Sequence, residues 1–209
     1  MPRRIVLYSV FALVLALAWG LAFQILTGPP DADQTGFAFH DDLQSNSDPK
    51  VALADLAFLD PSGEEFALRN LIGQRKLVVV VTRGNTGAIC PYCSTQTSRL
   101  ISNYDEFRRR DAEVVVVYPI ETQEDSGSLD RFLEITRKRL LEPDEPVPFP
   151  FVLDVGLAAV DELGIRALLA KPATYILDKK GRVRFAYVGA SLADRPSIKA
   201  MLAQLDALN

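Results

Sequence analysis

The hydrophobic pattern divides the chain into an apolar N-terminal run, a polar stretch, and a region of short apolar runs alternating with amphipathic segments. The first run, residues 5–26, carries no charged side chain. As a helix rising about 1.5 Å per residue, it is long enough to cross the roughly 30 Å hydrocarbon core of a membrane. Arg3 and Arg4 precede it, and the positive-inside rule places the N-terminus in the cytoplasm. The pattern predicts a single-pass anchor over residues 1–26 in the inner (cytoplasmic) membrane.

A cleaved signal peptide is the main alternative, and a buried core helix is a third. Ala16 with Ala18, or Ala18 with Gly20, forms the small-x-small pattern of a cleavage site. The apolar run continues past both candidates to Leu26, beyond the roughly 7–15 residues usual for the hydrophobic region of a signal peptide, which favours a retained anchor. Anchor and cleaved signal both predict that the rest of the chain is periplasmic or otherwise extracytoplasmic, secreted if cleavage occurs.

Residues 27–49 are rich in Gly, Pro, Asp and Ser, a composition that predicts a flexible linker. Phe37 and Phe39, in its middle, are candidates to dock on the folded domain. That domain is predicted to span residues 50–209.

Residues 50–209 show the pattern of an α/β domain. The predicted elements are a hairpin of residues 51–59 and 64–68, a strand over 77–82, a helix over 91–109, a strand over 114–118, a helix over 129–141, a short strand over 151–153, a short helix over 156–163, strands over 174–178 and 183–188, and a helix over 196–208 with Pro196 in its first turn. The two long apolar strands are typical of strands buried on both faces, and a right-handed crossover makes them parallel neighbours. The order predicts a mixed central sheet flanked by helices.

Composition and charge exclude several classes of protein. The chain is 48% hydrophobic and 24% charged, as expected of a folded protein and not of a disordered one. The net charge of −4 argues against a nucleic-acid partner, since such binders usually carry a basic excess. One histidine, His40, and two cysteines leave too few ligands for a zinc site, so no metal and no bound cofactor are predicted.

The chemistry is predicted at Cys90-Pro91-Tyr92-Cys93, where the loop after a buried strand enters a helix. Pro91 suits the first helical turn because amide hydrogens there have no partner within the helix, and proline has no amide hydrogen. Cys90 lies at the helix N-terminus, where free amides and the helix dipole favour a thiolate and make it the better nucleophile. Cys93 follows one turn later on the same face and can resolve a mixed disulfide. A zinc half-site with His40, or a structural disulfide closing a very short loop, is the weaker interpretation.

A second motif, Lys171-Pro172-Ala173-Thr174, precedes an apolar strand. Pro172 is either a cis-proline beside Cys90, which would leave the Lys171 backbone to pair with an extended substrate chain, or an ordinary proline at a strand entrance.

Three stretches resemble the alkyl hydroperoxide reductase / thiol-specific antioxidant (AhpC/TSA) group of thioredoxin-like redoxins. They are residues 77–93 (LVVVVTRGNTGAICPYC), residues 147–165 (VPFPFVLDVGLAAVDELGI) and residues 171–189 (KPATYILDKKGRVRFAYVG). The resemblance implies a thioredoxin fold over roughly residues 50–208. It implies Cys90 as the attacking cysteine, Cys93 as the resolving cysteine and Pro172 as a cis-proline.

The predicted function is a membrane-anchored thiol–disulfide oxidoreductase that acts on protein thiols and disulfides through a Cys90–Cys93 disulfide. The alternative is a thiol peroxidase with Cys90 as peroxidatic cysteine, although Gly87 stands where peroxidases of the group carry Thr or Ser. A metal chaperone or an assembly scaffold is a third class. Arg83 is the candidate to lower the pKa of Cys90, unless it is an ordinary surface arginine. The apolar strand 77–81 lacks the buried acid of thioredoxins.

Overall fold

The computed structural model describes residues 37–144 and 146–208. The predicted anchor, residues 1–26, and the first part of the predicted linker lie outside these ranges. Within them, no helix combines the length and the hydrophobicity needed to cross a membrane.

The described residues form seven strands and five α-helices. The strands are β1 (Ala57–Leu59), β2 (Glu65–Ala67), β3 (Lys76–Val81), β4 (Ala112–Ile120), β5 (Phe151–Val155), β6 (Ala173–Leu177) and β7 (Val183–Val188). The helices are α1 (Pro91–Ser102), α2 (Tyr104–Arg109), α3 (Ser128–Arg137), α4 (Ala158–Glu162) and α5 (Ile198–Asp206). Short 3-10 turns cover Leu53–Asp55, Leu68–Asn70 and Gln123–Gly127.

The strands form one mixed sheet in the order β2-β1-β5-β4-β3-β6-β7. β3 and β4 are parallel neighbours, as the crossover rule predicted. β6 lies antiparallel on the other side of β3, and β7 pairs antiparallel with β6, as expected of the two strands predicted in succession. The prediction of a mixed central sheet flanked by helices is therefore confirmed.

All four predicted helices differ in their bounds, and the short helix expected over 156–163 is Ala158–Glu162. The helix expected over 91–109 is two helices, because Asn103 leaves helical geometry and its side-chain amide donates to the Arg99 carbonyl (2.8 Å). The helix expected over 129–141 ends at Arg137. The last helix begins after Ser197, whose hydroxyl accepts from the Ala200 amide (3.1 Å), so Pro196 precedes the helix.

Both faces of the sheet are covered. Alternate residues of β3 point to opposite faces, so Val78 and Val80 join one apolar cluster while Leu77, Val79 and Val81 join the other. The first cluster includes buried side chains of α1, α2, α3 and α5, and also both cysteines. The dithiol thus belongs to the core beneath the helices and not to the surface.

The loop after β3 passes very close to β4 at Gly84. A Cβ atom added to Gly84 would lie 2.2 Å from the carbonyl oxygen of Pro119, and the backbone has φ +86°. The next amide, of Asn85, donates to that same carbonyl (3.1 Å). Only glycine meets both conditions, and the approach fixes the direction in which the loop leads to Cys90.

The prediction of a flexible linker over residues 27–49 is wrong for residues 37–48, which form a strap across the domain. At one end of this strap, the Phe37 ring packs on Tyr92, with centroids 4.4 Å apart, and the Phe37 carbonyl accepts from Arg99 (2.7 Å). At the other end, the Asn46 side chain bonds both the amide (2.8 Å) and the carbonyl (3.0 Å) of Val188. The strap is ordered because it supplies partners for the open edge of β7.

Replacing Gly84 by alanine should destabilise the domain by more than about 3 kcal/mol, since the change adds a backbone clash to an unfavourable φ. Gly73→Ala is the matched control: its φ is +87° but nothing lies within 4 Å of an added Cβ. We expect a cost of about 1–2 kcal/mol there, from the backbone alone. Urea unfolding of both variants measures the difference, and equal costs would contradict a decisive Gly84–Pro119 contact.

Candidate active site: a buried dithiol beside an arginine

Cys90 caps the N-terminus of α1. Its backbone is extended (φ −71°, ψ 116°), and its sulfur accepts from the amide of Cys93 at 3.4 Å. Pro91 follows in the first turn, as predicted, where no amide hydrogen is needed. The sulfur therefore lies at the positive end of the helix, within reach of the second cysteine.

The two thiols have opposite pKa shifts. The Cys93 thiol donates to the Cys90 sulfur and, with the Cys93 and Tyr92 amides and the charge of Arg195, lowers the pKa of Cys90 to about 6 against the effect of burial. Burial is the main cause that raises the pKa of Cys93 well above its ordinary value, and its bond to Cys90 raises it further. At neutral pH, Cys90 is a thiolate and Cys93 a thiol, as a nucleophile and a resolving group require.

Arg195 is the site residue that sequence reasoning missed. It is only 1% exposed, and its Nη2 donates to the Cys93 sulfur at 3.1 Å. Nη1 donates to Oε1 of Gln96 (2.6 Å), and Nε donates to the Leu192 carbonyl (2.7 Å). Arg195 precedes Pro196 just before the last helix, and no spacing rule connects it to the cysteines. The surrounding segment, residues 191–198 (SLADRPSI), mixes polar and apolar residues like an ordinary loop, so the sequence carried no signal of the position of Arg195.

The loop after β7 brings Arg195 to the cysteines. Gly189 allows a tight return, because an added Cβ would lie 2.2 Å from the Asp194 carbonyl oxygen and 2.9 Å from Cγ of Pro172. The Asp194 carboxylate accepts from the Tyr187 hydroxyl (2.6 Å) and from the Ala190 amide (2.8 Å). These contacts fold the loop back onto the end of β7 and direct Arg195 inward.

The strap also holds this loop. The His40 amide donates to the Arg195 carbonyl (2.9 Å), and the Ser197 amide donates to the His40 carbonyl (2.9 Å). The His40 ring is exposed and lies 3.4 Å from the Asp194 carboxylate. Over the described ranges, no group of three or more His, Cys, Asp or Glu side chains is arranged to hold a metal ion.

Arg83 contributes its backbone to the site. Its amide donates to the Cys93 sulfur (3.4 Å), and its carbonyl accepts from Ala170 (3.4 Å). The charge that lowers the pKa of Cys90 is that of Arg195, so the prediction that gave this role to Arg83 is wrong. The reason is topological, since the loop after β7 and not the loop after β3 brings a guanidinium to the sulfurs.

Pro172 is not a cis-proline, since every peptide bond in the described ranges is trans. The predicted cis bond is wrong. The chain enters β6 in an extended conformation that a trans bond satisfies, with the Lys171 amide donating to Ile165 (2.8 Å) and the Pro172 carbonyl accepting from Gly189 (2.8 Å). The Lys171 amide is thus already used inside the domain. Pro172 is buried against Gly189 and supports the loop that carries Arg195.

Tyr92, between the cysteines, is half-buried under Phe37 of the strap. The polar side chains that follow it in α1 are buried as well: Ser94, Thr95, Gln96, Thr97 and Ser98. Arg139 bonds the same helix one residue after Cys93, where its Nε donates to the Ser94 hydroxyl (3.1 Å). The helix that carries the dithiol is therefore enclosed, and Pro91 is the exposed member of the motif.

Residues 49–186 match the AhpC/TSA family. The chain belongs to the AhpC/TSA family. Among solved structures, this AhpC/TSA chain is similar to peroxidoxin BcpB of Mycobacterium tuberculosis (TM-score 0.60, 18% identity, 80% of this chain and 99% of that one). It is also similar to the mitochondrial 2-Cys peroxiredoxin of Plasmodium falciparum (TM-score 0.56, 18% identity, 73% and 87%). These likenesses confirm the predicted thioredoxin-like fold.

A curated relative of this AhpC/TSA chain is the thiol-disulfide oxidoreductase ResA of Halalkalibacterium halodurans, with 27% identity over 130 residues. The match covers 62% of this chain and 62% of ResA. The chain therefore spans less than two thirds of the length of that relative.

The asymmetry of the thiols predicts how Cys90 reacts with iodoacetamide. In the reduced protein, we expect half-maximal alkylation of Cys90 near pH 6, because its thiolate predominates above that pH. Cys93→Ala should move the midpoint upward, since it removes the S–H donor, whereas Cys93→Ser retains a donor and should keep the midpoint low. Mass spectrometry of the alkylated peptide measures both, and equal midpoints for the two variants would contradict the S–H donor as the main cause.

Proposed function

We propose that the chain is a membrane-anchored, extracytoplasmic thiol–disulfide oxidoreductase that works through a Cys90–Cys93 dithiol. The observation that carries this proposal is the pair of opposite pKa shifts at two sulfurs one helical turn apart. A thiolate nucleophile beside a retained proton is the arrangement that dithiol exchange requires. The similarity to ResA supports the same reaction class.

In the reducing direction, the Cys90 thiolate attacks a substrate disulfide and forms a mixed disulfide, and the first substrate sulfur leaves as a thiolate. Cys93 then gives up its proton to that group or to solvent and attacks the Cys90 sulfur. The second substrate sulfur leaves, and the Cys90–Cys93 disulfide remains. In the oxidising direction the same bonds form and break in reverse order.

Protein chains are the proposed substrates. The Cys90 sulfur belongs to a residue only 4% exposed, and its neighbour Pro91 is the exposed part of the motif. A partner disulfide must therefore be presented to the end of α1, alongside Pro91 and the exposed residues Gly87 and Ala88 of the preceding loop.

The extracytoplasmic location and the anchor rest on the uncharged apolar run of residues 5–26 and on Arg3 and Arg4 before it. A dithiol that cycles through a disulfide suits such a compartment, where disulfides persist.

A peroxidase would need groups that hold a peroxide at the Cys90 sulfur. The Thr86 hydroxyl is directed instead to the Ala88 carbonyl (3.5 Å), and Arg195 donates to Cys93. Among the described residues, hydrogen bonds to the Cys90 sulfur come from Cys93 and from the Tyr92 backbone. These contacts favour exchange between sulfurs over peroxide reduction.

Cys93→Ser in the full-length chain should accumulate reductant-sensitive adducts with substrate proteins, because the mixed disulfide at Cys90 can no longer be resolved. Cys90→Ser should give none, and the variant with both substitutions is the control for adducts through other groups. Non-reducing electrophoresis of membranes from expressing cells measures the adducts.

Equal adducts from Cys93→Ser and Cys90→Ser would contradict Cys90 as the nucleophile. In parallel, the wild-type chain should consume hydrogen peroxide no faster than a free thiol. Fast, saturable consumption would instead support the peroxidase.

A further inference from the structure

Arg195 is a buried cation, and among the described residues no carboxylate pairs with its guanidinium. It is 1% exposed, and the described partners of its guanidinium are the Leu192 carbonyl, the Gln96 amide oxygen and the Cys93 sulfur. The neighbouring carboxylate, Asp194, is used by Tyr187 and Ala190. A buried charge is unfavourable unless an opposite charge compensates it, so this guanidinium needs a counter-ion other than the carboxylates of the described residues.

The sulfurs supply that counter-ion in the reduced protein. Arg195 donates to Cys93 at 3.1 Å, and the Cys93 thiol in turn donates to the Cys90 sulfur. This chain of hydrogen bonds joins the buried cation to the Cys90 thiolate. Gln96, in the middle of α1, accepts a hydrogen bond from the guanidinium and holds it in place. Gln96 is itself only 3% exposed.

We propose that Arg195 is the positioning residue that stabilises the negative charge of the reduced Cys90–Cys93 pair, and thereby favours the reduced pair over the disulfide. The proposal rests on the function proposed above and adds the residue that controls the equilibrium of the reaction.

Arg195 acts most directly when a substrate thiolate attacks the disulfide form at the Cys90 sulfur. The Cys90–Cys93 bond breaks, a bond between Cys90 and the substrate forms, and the electron pair remains on the Cys93 sulfur beside Arg195. A second substrate thiolate then attacks the substrate sulfur, and Cys90 leaves as a thiolate. Cys93 takes a proton from solvent, and two electrons have passed from the substrate dithiol to the cysteine pair.

The hydrogen bond from Arg195 to the Cys93 sulfur becomes weaker when the cysteines form a disulfide. A disulfide is uncharged and accepts hydrogen bonds weakly, so the buried guanidinium then faces a neutral sulfur. Arg195 therefore shifts the equilibrium with any external thiol toward the reduced pair, and it makes the protein a stronger acceptor of electrons than the same site without the charge.

The test is the redox equilibrium of the full-length chain with glutathione. The reduced fraction of the Cys90–Cys93 pair is measured in buffers with different ratios of reduced to oxidised glutathione. Arg195→Gln should shift the equilibrium toward the disulfide by about 10- to 100-fold, the range of a charged hydrogen bond. A tenfold shift corresponds to a potential about 30 mV more negative. Arg195→Lys keeps the charge and should restore most of the difference.

Arg139→Gln is the matched control, since Arg139 bonds α1 at Ser94, whereas the described side-chain donor from an arginine to a sulfur is that of Arg195. It should leave the equilibrium within about twofold of wild type. If the Gln variant fails to fold by circular dichroism, Gln96→Glu tests the same idea with Arg195 in place. The new carboxylate would pair with the guanidinium and should also shift the equilibrium toward the disulfide.

Superimposable curves for wild type and Arg195→Gln, or for wild type and Gln96→Glu where that variant is used, would overturn the role of Arg195. Equal shifts for Arg139→Gln would do the same. In those cases the dithiol function would stand. Failure of the wild-type pair to form a disulfide at any glutathione ratio would instead overturn the proposed function itself.

Discussion

The site depends on the position of β3 inside the sheet, between β4 and β6. The parallel register with β4 and the antiparallel register with β6 both reach Val81, opposite Val117 and Ala173. The C-terminal end of β3, which leads to Cys90, therefore lies beside the start of β6, at the same end of the strands. The end of β7 lies there as well, because Ala173 pairs with Val188. The loop that follows β7 carries Arg195.

Enclosure of the dithiol gives the two cysteines their different chemistry. Burial alone would keep both thiols protonated, since it disfavours the charged form. At Cys90, hydrogen bonds from the helix terminus and from Cys93, together with the charge of Arg195, outweigh burial; at Cys93, burial prevails. The strand that leads to this site, β3, is wholly buried and carries no acidic side chain. Arg195 is therefore a charged group inside an apolar region.

The strap joins the surface of the domain to this interior. Phe37 packs on Tyr92 between the cysteines, and the His40 backbone bridges Arg195 and Ser197. The polar composition of this segment predicted a flexible linker, yet Asn46 completes the edge of β7 with its side chain. The strap therefore combines hydrogen bonds to an open strand edge with apolar contacts of Phe37 and Leu43.

Local pattern was enough to predict the strands β6 and β7, the start of α1 at Pro91 and the placement of Cys90 and Cys93 one turn apart at that helix terminus, because each depends on nearby residues in the chain. The length of the strap, the trans bond before Pro172 and the identity of the charged partner depended on tertiary structure. Arg195 and Cys93 are 102 residues apart in sequence. Their contact exists only because the sheet aligns the ends of β3 and β7, and because Gly189 lets the intervening loop fold back. Such a contact leaves no periodicity in the sequence, since it depends on the packing of whole elements.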